Sequence, residues 1–184
     1  MTDRLRPIPP DQLTEAQRRA ADAVIHGPRG ALYGPFVPLL RSPELLENAQ
    51  RMGEYLRYRS AIGARLSELA ILVTARQWNQ GVEWAIHAPI AAHVGIPQGV
   101  IDAIGRRERP QNMLVDEAAV HDFCIELHRD KGVSDPTYHD ALALFGEQGV
   151  VDLVGLNGYY TFLAMVMNTA RTEVPASSAA ALPK

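Results

Sequence analysis

The chain has 184 residues, 18 of them basic and 21 acidic, for a formal net charge of -3, and 47% are hydrophobic. That length suits one domain with a sizeable core, and that apolar fraction excludes a disordered chain. Well-mixed charge, with no basic block and no basic stripe interleaved with aromatics, argues against a nucleic-acid partner.

One cysteine, Cys124, excludes an intrachain disulfide and a cysteine-rich zinc site. The opening MTDRLRPIPP has charges and prolines but no apolar signal-peptide core. No apolar run reaches the roughly 20 residues of a membrane helix. The expectation is a soluble cytoplasmic protein with no membrane partner.

Nearly every segment has the pattern of a helix. Asp11 is the expected N-cap of DQLTEAQRRAADAVIHG, which ends at Gly27-Pro28. The Gly- and Pro-rich stretch HGPRGALYGPFVPLL is expected to be irregular. Ser42-Pro43-Glu44 combines a capping hydroxyl, a proline suited to the first helical position and an acid at the positive helix end. It predicts a helix from 43 to about 59. Helices follow from about 64 to 78 and about 81 to 94, the second ended by Gly95, Ile96 and Pro97, and a short one from about 98 to 104.

Asp116 is the expected cap of DEAAVHDFCIELHRDKG. Ser134-Asp135-Pro136 repeats the cap-and-proline signal and opens a helix to about Gly146. GVVDLVGLNGYYTFLAMVMNTAR predicts the last helix, and EVPASSAAALPK a loose tail. Few segments alternate apolar and polar residues as a half-buried strand would. The expected fold is all-α, one domain over 1–172 with a loose tail over 173–184.

Chemistry concentrates in QGVEWAIHAPIAAH, which begins at Gln80. On a helix, Glu83 lies about -60° and His87 about -20° from Gln80, so the three share one stripe. Glu68 stands on the preceding helix and is followed by LAILV. A helix with so little polar surface is buried on most sides, and a glutamate buried with it needs a partner. Spacing alone leaves two readings open. Glu83 and His87 form a solvent-facing i,i+4 pair, with Glu68 exposed, or the three form the polar floor of a pocket. Glu and His at i,i+4 can also ligate zinc, but no second histidine stands at a matching offset and His93 points elsewhere, so no metal site is expected.

Glu68, then Gln80, Glu83 and His87 followed by APIAAHVGI, resemble the carboxymuconolactone decarboxylase family, which includes the alkylhydroperoxidase D-like enzymes. GPRGALYGPF, RSPELLENAQRMGEYLR and SDPTYHDALALFGEQGVVDLVGLNGYYTFLAMVMN agree, so the resemblance covers about residues 26 to 171. It implies an alkylhydroperoxidase D-like helical bundle that assembles as a homo-oligomer, a trimer or hexamer, with active sites near subunit contacts.

In the peroxidase branch of that family a C-x-x-C pair and a following histidine lie on this helix, with a glutamate upstream. Here Gln80 and Glu83 stand at the cysteine positions, His87 at the histidine and Glu68 at the glutamate. Peroxide reduction needs a thiolate and a resolving thiol, and neither Gln80 nor Glu83 supplies one. The decarboxylase branch lacks the pair and is the closer resemblance. It implies loss of carbon dioxide from a small acidic lactone in aromatic catabolism, with no metal, flavin or nicotinamide cofactor. Under that resemblance Glu68, Glu83 and His87 are the catalytic candidates. His87 is donor or acid, Glu83 orients it or relays the proton, and Glu68 raises its basicity or itself holds a proton. Gln80 offers substrate a neutral hydrogen bond.

A doubly carboxylated substrate needs cations. Arg29, Arg57, Arg59 and Arg76 are candidates, with Arg59 first because it precedes the turn to the Glu68 helix. Tyr160, with Tyr159, is a pocket candidate from the resemblance. Trp84 is expected in packing, and Met165 and Met167 in the core or a subunit interface. Two other functions stay open: a redox protein using Cys124 between subunits, and a non-catalytic oligomeric ligand-binding protein.

Overall fold

The computed structural model describes residues 3–175 and 180–183. Among these, a short 3-10 turn, Pro10–Gln12, precedes eight α-helices: α1 Glu15–Ile25, α2 Phe36–Leu39, α3 Pro43–Tyr58, α4 Gly63–Gln77, α5 Gly81–His93, α6 Gln98–Gly105, α7 Val115–Asp130 and α8 Asp135–Ala170. No strand occurs among the described residues, so the fold is all-α.

The LAILV run makes α4 apolar on every side, and the helix is correspondingly central. Every residue from Leu66 to Arg76 is buried. Helices α5, α7 and α8 pack around it, with α3 and α6 at its flanks, and α1 lies on α3. Leu69, Ile71 and Leu72 of α4 meet Phe123 of α7 and Leu153, Leu156, Leu163 and Met167 of α8 in one cluster. Trp84 is buried in the same cluster, whereas Met165 is exposed.

Three helix starts differ from expectation. Ser42 stands at the N-cap of α3, but its hydroxyl makes no capping hydrogen bond. Asp11 lies in the 3-10 turn, and Thr14 caps α1. The Thr14 hydroxyl accepts from the Gln17 N–H at 3.2 Å while Gln17 Oε1 accepts from the Thr14 N–H at 3.0 Å. This reciprocal box satisfies two donors where a lone acid satisfies one. Asp116 is likewise not a cap. The cap of α7 lies two residues earlier, at Leu114, and Glu117 Oε2 accepts from the Leu114 N–H at 2.9 Å. Asp116 and Glu117 also hold Arg65 of α4.

The stretch expected to be irregular contains α2, whose Phe36, Pro38 and Leu39 are buried. The two helices expected on either side of Gly146 meet there: α8 is two helices joined across a kink, with non-helical backbone at Gly146 (φ 67°, ψ 178°). That conformation is open almost only to glycine. Over its length and composition α8 is also apolar enough to cross a membrane, contrary to the expectation from run lengths, but 56% of its most apolar window is buried inside the bundle.

In the expected tail, Ala180 and Leu182 pack against the core, and Pro183 lies over Gly105. Residues 176–179 and 184 of that expected tail lie outside the described residues.

Candidate active site

The α4–α5 connection sets the site. Asn79 turns the chain in a left-handed conformation (φ 49°), and Gln80 caps α5 by accepting from the Val82 N–H at 2.7 Å. The other end of the Gln80 amide donates to Asn168 Oδ1 of α8 at 2.8 Å. Both ends of Gln80 are thus engaged in holding α5 in place. Its expected hydrogen bond to substrate gives way to a structural role.

Glu83 and His87 then face Glu68 of α4. The three side chains converge: His87 Nδ1 is 2.6 Å from Glu68 Oε2, and His87 Nε2 is 3.3 Å from Glu83 Oε2. None is more than 4% exposed, so the solvent-facing reading of the pair does not describe this structure. Arg57 of α3 reaches the same carboxylate, with Nε 3.4 Å from Glu68 Oε1. Tyr160 of α8 stands edge-on to the imidazole at 5.3 Å between ring centroids, and Tyr159 edge-on to Tyr160 at 5.2 Å.

The electrostatics follow from this packing. Burial alone would push the His87 pKa down. The charge and hydrogen bond of Glu68, joined by those of Glu83, outweigh it, and the pKa is raised above its ordinary 6.5. Burial pushes the Tyr160 hydroxyl well above its usual range, with Glu83 and Glu68 adding to the effect, and burial raises Tyr159 to about 12. Both phenols therefore keep their protons at neutral pH. One carboxylate oxygen, Glu83 Oε1, is buried with no hydrogen-bond partner.

Arg29, Tyr33, Phe36, Arg57, Glu83, His87 and Tyr160 line a cavity of about 10 Å³ at this point. That is room for about one water molecule. The Gly- and Pro-rich segment closes it. Arg29 Nε donates to Gln50 Oε1 at 2.6 Å, its Nη2 lies 3.4 Å from the Tyr159 hydroxyl, and its guanidinium sits 4.4 Å above the Phe36 ring. A larger cleft of about 590 Å³ opens between α7 and the start of α8. Its Arg109 and Asp122 pair with each other, and none of the buried acid–base groups faces it.

Arg59 is not at the site: its side chain is 63% exposed and stands 4.0 Å from Glu54. Arg57 takes the inward position instead. The signal was available, because the buried residues Leu46, Gln50, Gly53 and Leu56 mark a stripe that Arg57 continues and Arg59, beyond the helix end, does not. Arg76 lies at the far end of α4. Cys124 is fully buried, accepts from Asn157 Nδ2 at 3.2 Å, and has its thiol pKa pushed by burial to about 12. Buried and held as the thiol, it does not present the accessible thiolate that the redox alternative needs.

No protein-family model matches the sequence, and no curated protein matches it. Solved structures do. The alkylhydroperoxidase AhpD core of an uncharacterized peroxidase-related protein from Ralstonia eutropha superposes with a TM-score of 0.75 at 14% identity, over 96% of this chain and 94% of that one. A second uncharacterized peroxidase-related protein, from Silicibacter sp., gives 0.73 at 12% identity over 100% and 97%. The fold is that of the alkylhydroperoxidase D-like proteins. The debrominase Bmp8, in complex with 2,3,4-tribromopyrrole, has the same AhpD-like fold, with a TM-score of 0.71 at 11% identity over 96% and 94%. At these identities the likeness is one of fold, and chemistry has to be argued from the side chains.

Proposed function

We propose that the chain is an acid–base enzyme of the carboxymuconolactone decarboxylase type, acting on a small unsaturated lactone acid or a related carboxylate. The observation that carries this reading is the placement of His87 between two buried carboxylates. Glu68 fixes Nδ1 at 2.6 Å, and the longer 3.3 Å contact at Nε2 leaves that nitrogen for a reacting group. The raised pKa favours the protonated form of His87, which is the form that donates.

Charge suits an acidic substrate. With His87 protonated, three cations (Arg29, Arg57 and His87) face the two carboxylates Glu68 and Glu83. A substrate carboxylate neutralises the surplus. In the reaction the bond from substrate to its carboxylate breaks, and carbon dioxide leaves without the bonding electron pair. The pair spreads through the conjugated system onto the lactone carbonyl, where Arg57 or the Tyr160 hydroxyl stabilises the developing oxyanion. His87 then delivers its Nε2 proton to carbon, and Glu83 supports its reprotonation from water.

Peroxide or halide chemistry through a thiol is disfavoured, because the cysteine positions hold Gln80 and Glu83 and Cys124 is inert. Assembly into a homo-oligomer, a trimer or hexamer, belongs to the same proposal. The exposed Leu45, Met52, Val151 and Val154 supply apolar surface for it. The test is a panel of muconolactones and related acids, scored for carbon dioxide release by wild type and His87→Gln. Release by wild type and its loss in the folded variant are expected. Equal release by both removes His87 from the chemistry, and release from no substrate rejects the reaction class.

A further inference from the structure

The C-terminal end of α4, about 12 Å along the helix from Glu68, gathers cations that the site above does not use. Arg76 Nη1 and Arg107 Nη2 each donate to the same acceptor, Asn79 Oδ1, at 2.8 Å. Two guanidinium groups thus converge on one neutral amide oxygen. Among the described residues neither forms an ion pair. The nearby carboxylates are engaged elsewhere: Glu108 with Arg106 at 2.8 Å, and Asp122 with Arg109 at 2.7 Å and His121 at 2.8 Å.

Arg76 is 8% exposed, and its Nε is buried without a partner. A charged donor in that position costs stability unless something accepts from it. The backbone that brings the two arginines together is itself constrained. Asn79 and Arg107 both hold positive φ, 49° and 62°, and for arginine that conformation is unfavourable. A cavity of about 210 Å³ opens on this corner, lined by Arg76, Arg107, Arg109, His121 and the Arg106-paired Glu108 over an apolar base of Val73 and Ile104.

We infer that this corner is a second binding site, built for a small tetrahedral oxyanion of the phosphate type. Two converging forks that form no ion pair, one of them with an unpartnered buried N–H, match the several acceptor oxygens of such an ion. The cavity is smaller than a typical organic-ligand pocket, which favours a compact anion over a large one. The site is separate from the acid–base cluster and stands whether or not the proposed decarboxylation does.

Calorimetric titration with inorganic phosphate, against sodium chloride at matched ionic strength, tests it. Wild type is expected to bind phosphate saturably, one per chain. Arg107 is exposed, so Arg107→Gln leaves the core untouched. That variant is expected to bind about tenfold more weakly or worse, and Arg107→Lys, which keeps the charge but not the fork, is expected in between. Equal affinity in wild type and Arg107→Gln overturns the inference, as does the absence of saturable binding to wild type. A third outcome also overturns it: Arg107→Gln dissociates an assembly on light scattering while phosphate has no effect. That result assigns the corner to a carboxylate of a second copy of the chain.

Discussion

Glu68 Oε2 and His87 Nδ1 stand 2.6 Å apart across the α4–α5 contact, each side chain 4% exposed. A pair so buried depends on both members. Glu68→Gln preserves shape and removes the charge, so unfolding free energy in urea is expected to fall by about 3 kcal/mol. The basic limb of the kcat/KM profile is expected to move to lower pH, because the imidazolium loses its main support. An unmoved limb would show that Glu68 does not govern the His87 proton.

The same pair makes stability depend on pH with a definite sign. The folded-state pKa of His87 is raised above the unfolded value of about 6.5. Its stabilisation is therefore fully present below about pH 6.5 and is lost as pH rises through the folded pKa. The difference in Tm between wild type and His87→Gln is expected to shrink as pH rises above about 6.5. A difference that grows over that range contradicts the assignment.

Cys124 offers a control for thiol chemistry. With its thiol buried and its pKa raised to about 12, native protein is expected to resist a thiol reagent and to react at one site once unfolded. Cys124→Ala is expected to keep full turnover and to lose about 1 kcal/mol of stability with the Asn157 contact. Rapid labelling of the folded chain would reopen the redox reading.

Gly53 is where α3 lets the closing segment approach. A Cβ there would lie 2.2 Å from the Tyr159 hydroxyl oxygen and 2.6 Å from Arg29 Nη2. Gly53→Ala must displace both, at a cost of about 1–3 kcal/mol. Hydrogen exchange in residues 27–36 is expected to quicken in that variant. Protection equal to wild type would show that the Arg29–Tyr159 contact does not hold the segment.

The helical frame was legible because its signals are local. The apolar run after Glu68, the Ser-Pro-Glu start of α3 and the glycine at the α8 bend each act within a few residues. The convergence of Glu83 and His87 followed from a 3.6-residue period, and burial of Glu68 from its apolar neighbours. The errors have a common cause in partners remote along the chain. Nothing near Gln80 announces Asn168, and nothing in the tail announces that Ala180 and Leu182 find the core. Arg59 stands first by sequence because it precedes the turn to the Glu68 helix, but two residues turn a helix by about 200°, so only Arg57 continues the buried stripe of α3.

The water-sized cavity beside His87 has a kinetic consequence. Under the proposed function, a substrate larger than one water needs the residues lining this cavity to part, and the rate of that opening then limits turnover however fast the bond breaks. The same barrier stands between the imidazole proton and bulk water. On the proposed function, the site closed over its substrate carries one proton in isolation. An enzyme equilibrated in heavy water and diluted into light water with substrate would therefore place deuterium in the first product and protium in those that follow.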